Sequence, residues 1–474
     1  MQKLNIPFVG PAYEVKSKKL NAQRCINLYL ETGGYEGKSN IALFGTPGLE
    51  LFATLGGSAI RGEHHVPSRN LFAVSGDTFY EIDRGGTVTE RGTLNSSSSR
   101  ISMDDNGTQI MIVDGEDGYI YNLDTEVFVE ITDSDFPGAD TVVFIDGYFA
   151  VNKPDTGRWY ISALLNGLNW TATDFITAES SPDGLVALRN LQGTIHAFGR
   201  YTTEIYYNSG ASFPFDRISG GVMKWGLEAR FSLAEAVDTA FWLGRNKTGG
   251  HVILKKEGYG ALRVSTHAVE DAMNKMTTTS DAFAYCYTSR GHTFYVITFP
   301  AGNQTWVFDI TTGAWHERQS YREGGAIRHR ANAYYYFNDE HIVGDFESGK
   351  LYKMRDDIYD DDGDPIERIR RTQRVSDREN NIAYSSLQVD MQTGVGLTTG
   401  QGSDPQAMLR WSDDGGHSWT PEKWRSIGKK GEYNHRAIWK RLGYGRDRIW
   451  ELKITDPIEV VMLGAVAEIE ALAA

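Results

Sequence analysis

Residues 193–207 read Gly193-Thr-Ile-His-Ala-Phe-Gly-Arg-Tyr-Thr-Thr-Glu-Ile-Tyr-Tyr207. Ile195 and Ala197 alternate with His196 and Phe198, and after residues 199–202 the run 203–207 resumes a period of two with β-branched and aromatic side chains. This is the pattern of a strand, a short turn and a second strand. The template recurs along the chain. In each recurrence the best-marked strand follows a turn rich in Gly, Asn or Asp, and starts near residues 70, 108, 148, 194, 239, 292 and 333; the seventh unit opens with a strand over 326–329. Those starts lie roughly 38 to 53 residues apart, close to the period of four-stranded propeller blades. A blade cannot bury both faces alone, and closing a ring gives each two neighbours. The reading is an all-β chain: an irregular segment with one strand (21–30) over 1–55, a degenerate six- or seven-bladed β-propeller over 56–355, and a second β-sandwich or barrel domain over 356–474. The competing reading is a pair of irregular β-sandwiches.

Composition narrows the function. A formal charge of −14 argues against a protein that wraps nucleic acid, which needs a basic face to displace counterions. The two cysteines, Cys25 and Cys286, are too few for a disulfide framework and suit a reducing compartment. Pro7 and Pro11 interrupt a start without a long apolar stretch, unlike a signal peptide. No run approaches the roughly 20 apolar residues that span a bilayer, so a membrane span is not expected. Gly33, Gly37, Lys38 and Ser39 resemble a phosphate-cradling loop, but the first glycine stands one residue too close and no strand feeds a helix there.

Past residue 355 the composition shifts. Asp360, Asp362 and Asp364 are spaced like calcium ligands, yet Pro365 and Arg371 occupy the places of the sharp-turn glycine and the distal glutamate. A hairpin tip on Asp362-Gly363 is the better reading. The charged run 366–371 reads as an exposed edge strand. Residues 406–455 carry 11 Lys or Arg against 6 Asp or Glu, which suggests a docking face, a patch near phosphate or a plain solvated surface.

Chemical signatures are sparse. Ser412, Asp414, Gly416, Ser418 and Trp419 fit an Asp-box, a self-bonded turn in which the carboxylate accepts backbone N–H groups and the indole covers the hairpin. It is known from sialidases and other carbohydrate-active propellers, where it lies away from the active centre and marks a fold element. There is no Gly-x-Ser-x-Gly elbow, His-Glu-x-x-His helix, Cys-x-x-Cys pair or complete dinucleotide fingerprint. Glu63-His64-His65 and His267-Ala-Val-Glu270 offer incomplete ligand sets and read as surface histidines. No catalytic, cofactor-binding or metal-ligating residue is assigned.

Several strings resemble one family. Ser180-Ser-Pro-Asp-Gly184, Phe198-Gly199, Thr203-Glu-Ile-Tyr-Tyr-Asn-Ser-Gly210, Phe213-Pro-Phe215 and Arg436-Ala-Ile-Trp-Lys-Arg-Leu-Gly443 are similar to the packaged-DNA stabilisation proteins of short-tailed bacteriophages, also called tail hub or nozzle proteins. An asparagine-containing segment comparable to 21–30 stands in the same place in that family. The resemblance implies a non-enzymatic virion protein of the tail, assembled in the host cytoplasm as a homohexamer. It would dock on a portal-adaptor (head–tail connector) protein above and on a tail needle, fibre or tailspike below. It would close the channel after packaging and conduct DNA at ejection without sequence-specific binding. An acidic lumen would let phosphate slide. The alternative is a carbohydrate-binding or sialidase-like propeller, which would need an arginine cluster with acidic partners at the propeller axis.

Overall fold

The alternating runs become strands because each has one apolar face to bury and turn residues at both ends. The computed structural model describes residues 2–14, 17–18, 21–33, 40–377 and 380–472. The hairpin at 193–207 forms between Thr194–Gly199 and Thr203–Asn208, with Ile195 opposite Tyr206 and Ala197 opposite Glu204. Gln192 and Gly193 turn the chain into it with positive φ of 56° and 76°.

Six consecutive sheets, built in chain order, follow this plan. They run from Ile60–His65 to Val88–Thr93, Ser102–Asp105 to Val127–Glu130, Val142–Ile145 to Asn166–Thr177, Leu185–Leu191 to Phe215–Met223, Gly226–Leu227 to Gly260–Arg263, and Phe283–Ser289 to Ala314–Arg322. A seventh sheet completes the ring. It takes Ala331–Phe337, Glu340–Asp345 and Lys350–Arg355, and its fourth strand is Gly48–Thr54 from the start of the chain, with Thr54 opposite Lys350 and Gly48 opposite Arg355. The ring is thus closed by residues about 300 positions away in sequence, and the propeller cannot shut until both ends are present. The sequence reading of the seventh unit placed its first strand at 326–329. That segment, Gly325–Arg328, instead folds back on Ala314–Arg322 as a local hairpin.

Between blades the core is aromatic. Phe72 and Phe79 meet Tyr121 between the first and second blades, Trp159 meets Tyr206 and Phe215 between the third and fourth, and Phe198 meets Trp242 between the fourth and fifth. Each ring is fully buried in this way or nearly so, contributing roughly 1.5–3 kcal/mol of transfer free energy.

Among the described residues, those from 368 on and those up to 45 make the second domain together, a β-sandwich. One sheet runs Leu28–Thr32, Ile41–Gly45, Val461–Leu472, Asn381–Met391, Ala437–Lys440, with Gln2–Ile6 also on Val461–Leu472. The other runs Ala22–Ile26, Arg368–Arg371, Asp447–Ile454, Gln406–Ser412, Lys423–Ser426, and joins the sixth blade through Ile26 beside Glu317. Residues 1–55 are therefore strand-rich, and the single strand expected at 21–30 is two strands broken at Asn27. The loop glycines and Lys38 and Ser39 of the phosphate-loop comparison fall, from Gly37 on, outside the described residues.

Arg368–Arg371 is a central strand, where an exposed edge was expected. Arg368, Arg370 and Arg371 are buried because backbone and carboxylate acceptors wait for them. Arg370 donates to the carbonyls of Phe8, Pro11 and Arg24 and to Gln23 Oε1 at 2.5–3.3 Å. Arg371 donates twice to Glu451, at 2.8 and 2.6 Å.

At the closure, a Cβ on Gly349 would stand 1.6 Å from the carbonyl oxygen of Gly56, while one on Gly57 would meet nothing within 4 Å. Gly349→Ala is expected to lower the urea midpoint sharply by prising the seventh blade open, and Gly57→Ala to leave it within about 0.5 kcal/mol of the parent stability. Equal midpoints for the two variants would show that the closure tolerates strain and that the ring does not depend on it.

Candidate functional site

Three places carry chemistry: the propeller axis, the seam between the domains and the Asp-box turn.

The axis is lined by one strand from each blade: Ile60–His65, Ser102–Asp105, Val142–Ile145, Leu185–Leu191, Ala234–Ala236, Phe283–Ser289 and Ala331–Phe337. Together they line a cavity of about 550 Å³. Its charged lining is Glu63, His64, Asp104, Arg189 and Glu235. Burial pushes the carboxyls of Glu63, Asp104 and Glu235 up; in Glu235 the nearby Arg189 opposes the rise. Burial also pushes up the Cys286 thiol, leaving it a poor nucleophile. One arginine among the described lining residues is not the cluster that holds a carboxylate sugar, so the geometry does not favour the sialidase-like reading.

His64 departs from expectation. It is buried, not a surface histidine, and its Nε2 lies 2.7 Å from Asp105 Oδ2. His64, Asp104 and Asp105 bring their ligand atoms within 4.8 Å of one another, but the Phe144 amide donates to Asp104 at 2.6 Å. The group is arranged as a hydrogen-bonded pair and an anchored turn. His65 packs edge-on against Tyr335 and Phe337. His267 is exposed at the start of the helix His267–Met273, and Glu270 turns from it to Arg263.

The seam is built on Asn27. Its backbone sits at φ 53°, a region asparagine tolerates better than most residues. Its amide nitrogen donates to the carbonyls of Gln319 and Glu367, both at 2.9 Å, and its amide oxygen accepts from the Gln319 amide at 2.9 Å. One side chain thus ties the sixth blade to the strand region that leads into the sandwich. Arg24 adds a two-pronged contact to Glu317 at 2.9 and 2.6 Å. Farther along, buried His292 of the sixth blade lies 2.8 Å from Asp309 and 2.9 Å from Glu31 of the sandwich strand Leu28–Thr32. Burial alone would lower its pKa; the Glu31 and Asp309 carboxylates override that and raise it.

The Asp-box turn follows Gln406–Ser412. Asp414 accepts from the Ser412 and Ser418 hydroxyls and from the amides of His417 and Ser418, at 2.5–2.9 Å. Led by Ser418, these donors hold its carboxyl far below the usual carboxylate range. Gly416, at φ 88°, donates to Ser412 Oγ at 2.8 Å. The Trp419 ring lies under the guanidinium groups of Arg371 and Arg410, 4.8 and 5.0 Å from its centroid. Both arginines are bound to Glu451. Sequence reasoning found the turn but not this cage, because Arg371 and Glu451 carry no local signal of meeting.

The Asp360–Asp364 segment is a hairpin tip, with Asp362 and Gly363 at φ 53° and 89°. Its carboxylates point apart: Asp362 to Lys350 at 2.6 Å, Asp364 to Arg330 at 2.5 Å. Asp361 is buried, accepts from Ser320 at 2.7 Å and is pushed up to about 6 by that burial.

A family model described as Bacteriophage P22 Gp10, beta-propeller, matches residues 4–359, and a second, Bacteriophage P22 Gp10, beta-sandwich, matches residues 367–470. No curated protein matches the chain. Among solved structures, it is similar to the N-terminal domain of Nup159 at 9% identity and TM-score 0.42, covering 69% of this chain and 97% of that one. It is similar to the WD40 propeller domain of Doa1 at 13% identity and TM-score 0.39, covering 65% and 96%. It is also similar to the extracellular domain of the hybrid two-component system BT4673 from B. thetaiotaomicron at 10% identity and TM-score 0.44, covering 90% and 62%.

Two outcomes are expected at the seam. Since folding raises the His292 pKa above its ordinary 6.5, its contribution is complete below that value and is lost as pH rises through the folded-state pKa. Parent stability in urea should therefore fall as pH rises above 6.5, and His292→Gln should flatten that slope while costing about 1–3 kcal/mol. A slope unchanged in the variant would remove His292 as its source. Asn27→Gly, which keeps the backbone angle and loses three hydrogen bonds, should cost on the order of 3 kcal/mol by the same measurement, and a neutral result would mean that the seam is held elsewhere.

Proposed function

This chain belongs to the bacteriophage P22 Gp10 family, a phage structural protein of the tail, and from that premise we propose that it is the hub or nozzle of a short tail. In this reading six copies form a ring beneath the portal-adaptor protein, close the channel after packaging and conduct DNA at ejection, with a needle, fibre or tailspike docked below. The protein acts by shape, with no covalent chemistry.

The carrying observation is the pair of family matches, which together span both domains. Two physical features support it. A ring closed by its own N-terminus and fused to a sandwich through shared strands is a stiff unit, suited to a pressurised joint. The net charge of −14 suits a conduit that must not grip phosphate. We place part of the negative charge on the lumen of the assembled ring.

The test is electron microscopy of the purified chain mixed with portal and adaptor, beside particles assembled without the chain. A six-fold ring on the connector, and loss of packaged DNA from particles that lack it, are expected. A chain that stays off the connector, or particles that retain DNA without it, would overturn the reading; an electropositive lumen would overturn the charge assignment alone. Turnover of a sialoside by the pure chain would overturn its non-enzymatic character.

A further inference from the structure

Charge in this chain is sharply divided. The second and third blades, residues 102–174, hold 14 Asp or Glu against 2 Lys or Arg, a net of −12. The sandwich segment 420–446 holds 8 Lys or Arg against 2 Glu, a net of +6. Blades follow one another around the axis in chain order, and the sandwich joins at the sixth. The acidic blades are therefore removed around the ring from the sixth, where the sandwich joins, and no ion pair among the described residues links the two regions.

Both regions have the anatomy of a contact surface. Lys423–Ser426 is the outermost strand of its sheet, its ladder formed with Gln406–Ser412. Trp424 on it is 54% exposed and Tyr444 nearby is 70% exposed, an unfavourable display for two large aromatics unless something covers them. Arg425 reaches across to the Ile438 carbonyl at 3.2 Å, so this strand and Ala437–Lys440 present one continuous edge. None of the ion pairs formed among the described residues uses the seven Lys and Arg from 423 to 441. On the acidic side Val127–Glu130 is likewise the outermost strand of the second blade. Val127 and Val129 are exposed on it. Glu130 is set opposite Tyr119, beside the turn that carries the exposed Glu116.

We infer that the basic, aromatic edge of the sandwich is the docking face for the acidic second blade of another copy of this chain. Aromatic anchors with an arginine supply the binding centre, the opposed charges set orientation and encounter rate, and the contact is head-to-tail, since each copy offers two different surfaces. Such a contact repeats until it closes. The inference rests on the ring reading above and identifies the surfaces that make the ring.

The test is sedimentation velocity on the full-length chain, at about 50 mM salt and at several hundred millimolar, where screening shortens the reach of charge. The parent should self-associate, more weakly at high salt. Arg425→Glu with Lys440→Glu, and separately Glu116→Lys with Glu130→Lys, should each raise the dissociation constant at least about tenfold. Mixing these two variants should restore assembly with the two alternating, because each reversed face meets a reversed partner and each unreversed face an unreversed one. All four changes in one chain should restore assembly. Trp424→Ser should weaken association without altering its salt dependence. A parent that stays monomeric under every condition would overturn the inference. So would reversals that leave association unchanged, and so would basic-edge variants that lose only duplex DNA binding, which would assign the edge to phosphate. Rings on the connector that survive all reversals would discard these surfaces and leave the proposed function standing; a parent that never joins the connector would remove the function regardless of self-association.

Discussion

The constraint on which the rest depends is that the first 55 residues must thread between the two domains before either is complete. Asn27 marks the pivot. Its positive φ splits what would be one strand into two, one for each sheet of the sandwich, and its side-chain amide binds the sixth blade and the segment leading into the sandwich at once. Twenty residues on, Gly48–Thr54 supplies the missing strand of the seventh blade. Ring closure and sandwich assembly are consequently parts of one cooperative event, with contacts of very long sequence separation.

The buried charges fit this scheme. Among the described residues Arg370 meets no carboxylate, and spends its donors on carbonyls of the N-terminal segment and on Gln23. An irregular stretch with unpaired backbone oxygens is thereby satisfied without being made into a strand. Arg371 and Arg410 converge on Glu451, with Trp419 of the Asp-box lying against both. The self-bonded turn thus serves as a clamp on a buried ion cluster, a role consistent with its position far from the axis cavity. Buried arginines of this kind fix which strands may be neighbours more than they add stability.

The blades were legible because their cause is local. A period of two, a turn with Gly, Asn or Asp, and a repeat near forty residues can each be read within one unit, and six blades consist of consecutive strands. The seventh was misread for the same reason: its last strand comes from the other end of the chain, whereas 326–329 pairs locally with the sixth blade. The run 366–371 misled for a different reason. Three arginines in six residues look solvated unless one knows that carbonyls of residues 8, 11 and 24 and the Glu451 carboxylate surround them. His64 looked like surface until Asp105, forty-one residues away, was placed against it.

By itself, then, the sequence determined the all-β class, the repeating hairpin unit, the Asp-box turn and the Asp362-Gly363 tip, since each arises from side chains acting on backbone within a few residues. Tertiary structure alone decided which strand closes the ring, that the N-terminal segment belongs to the sandwich, and which arginines are buried. Those outcomes depend on pairing between residues hundreds of positions apart. Such pairing is set by the mutual fit of surfaces and the satisfaction of buried polar groups, neither of which leaves a periodic trace in the chain.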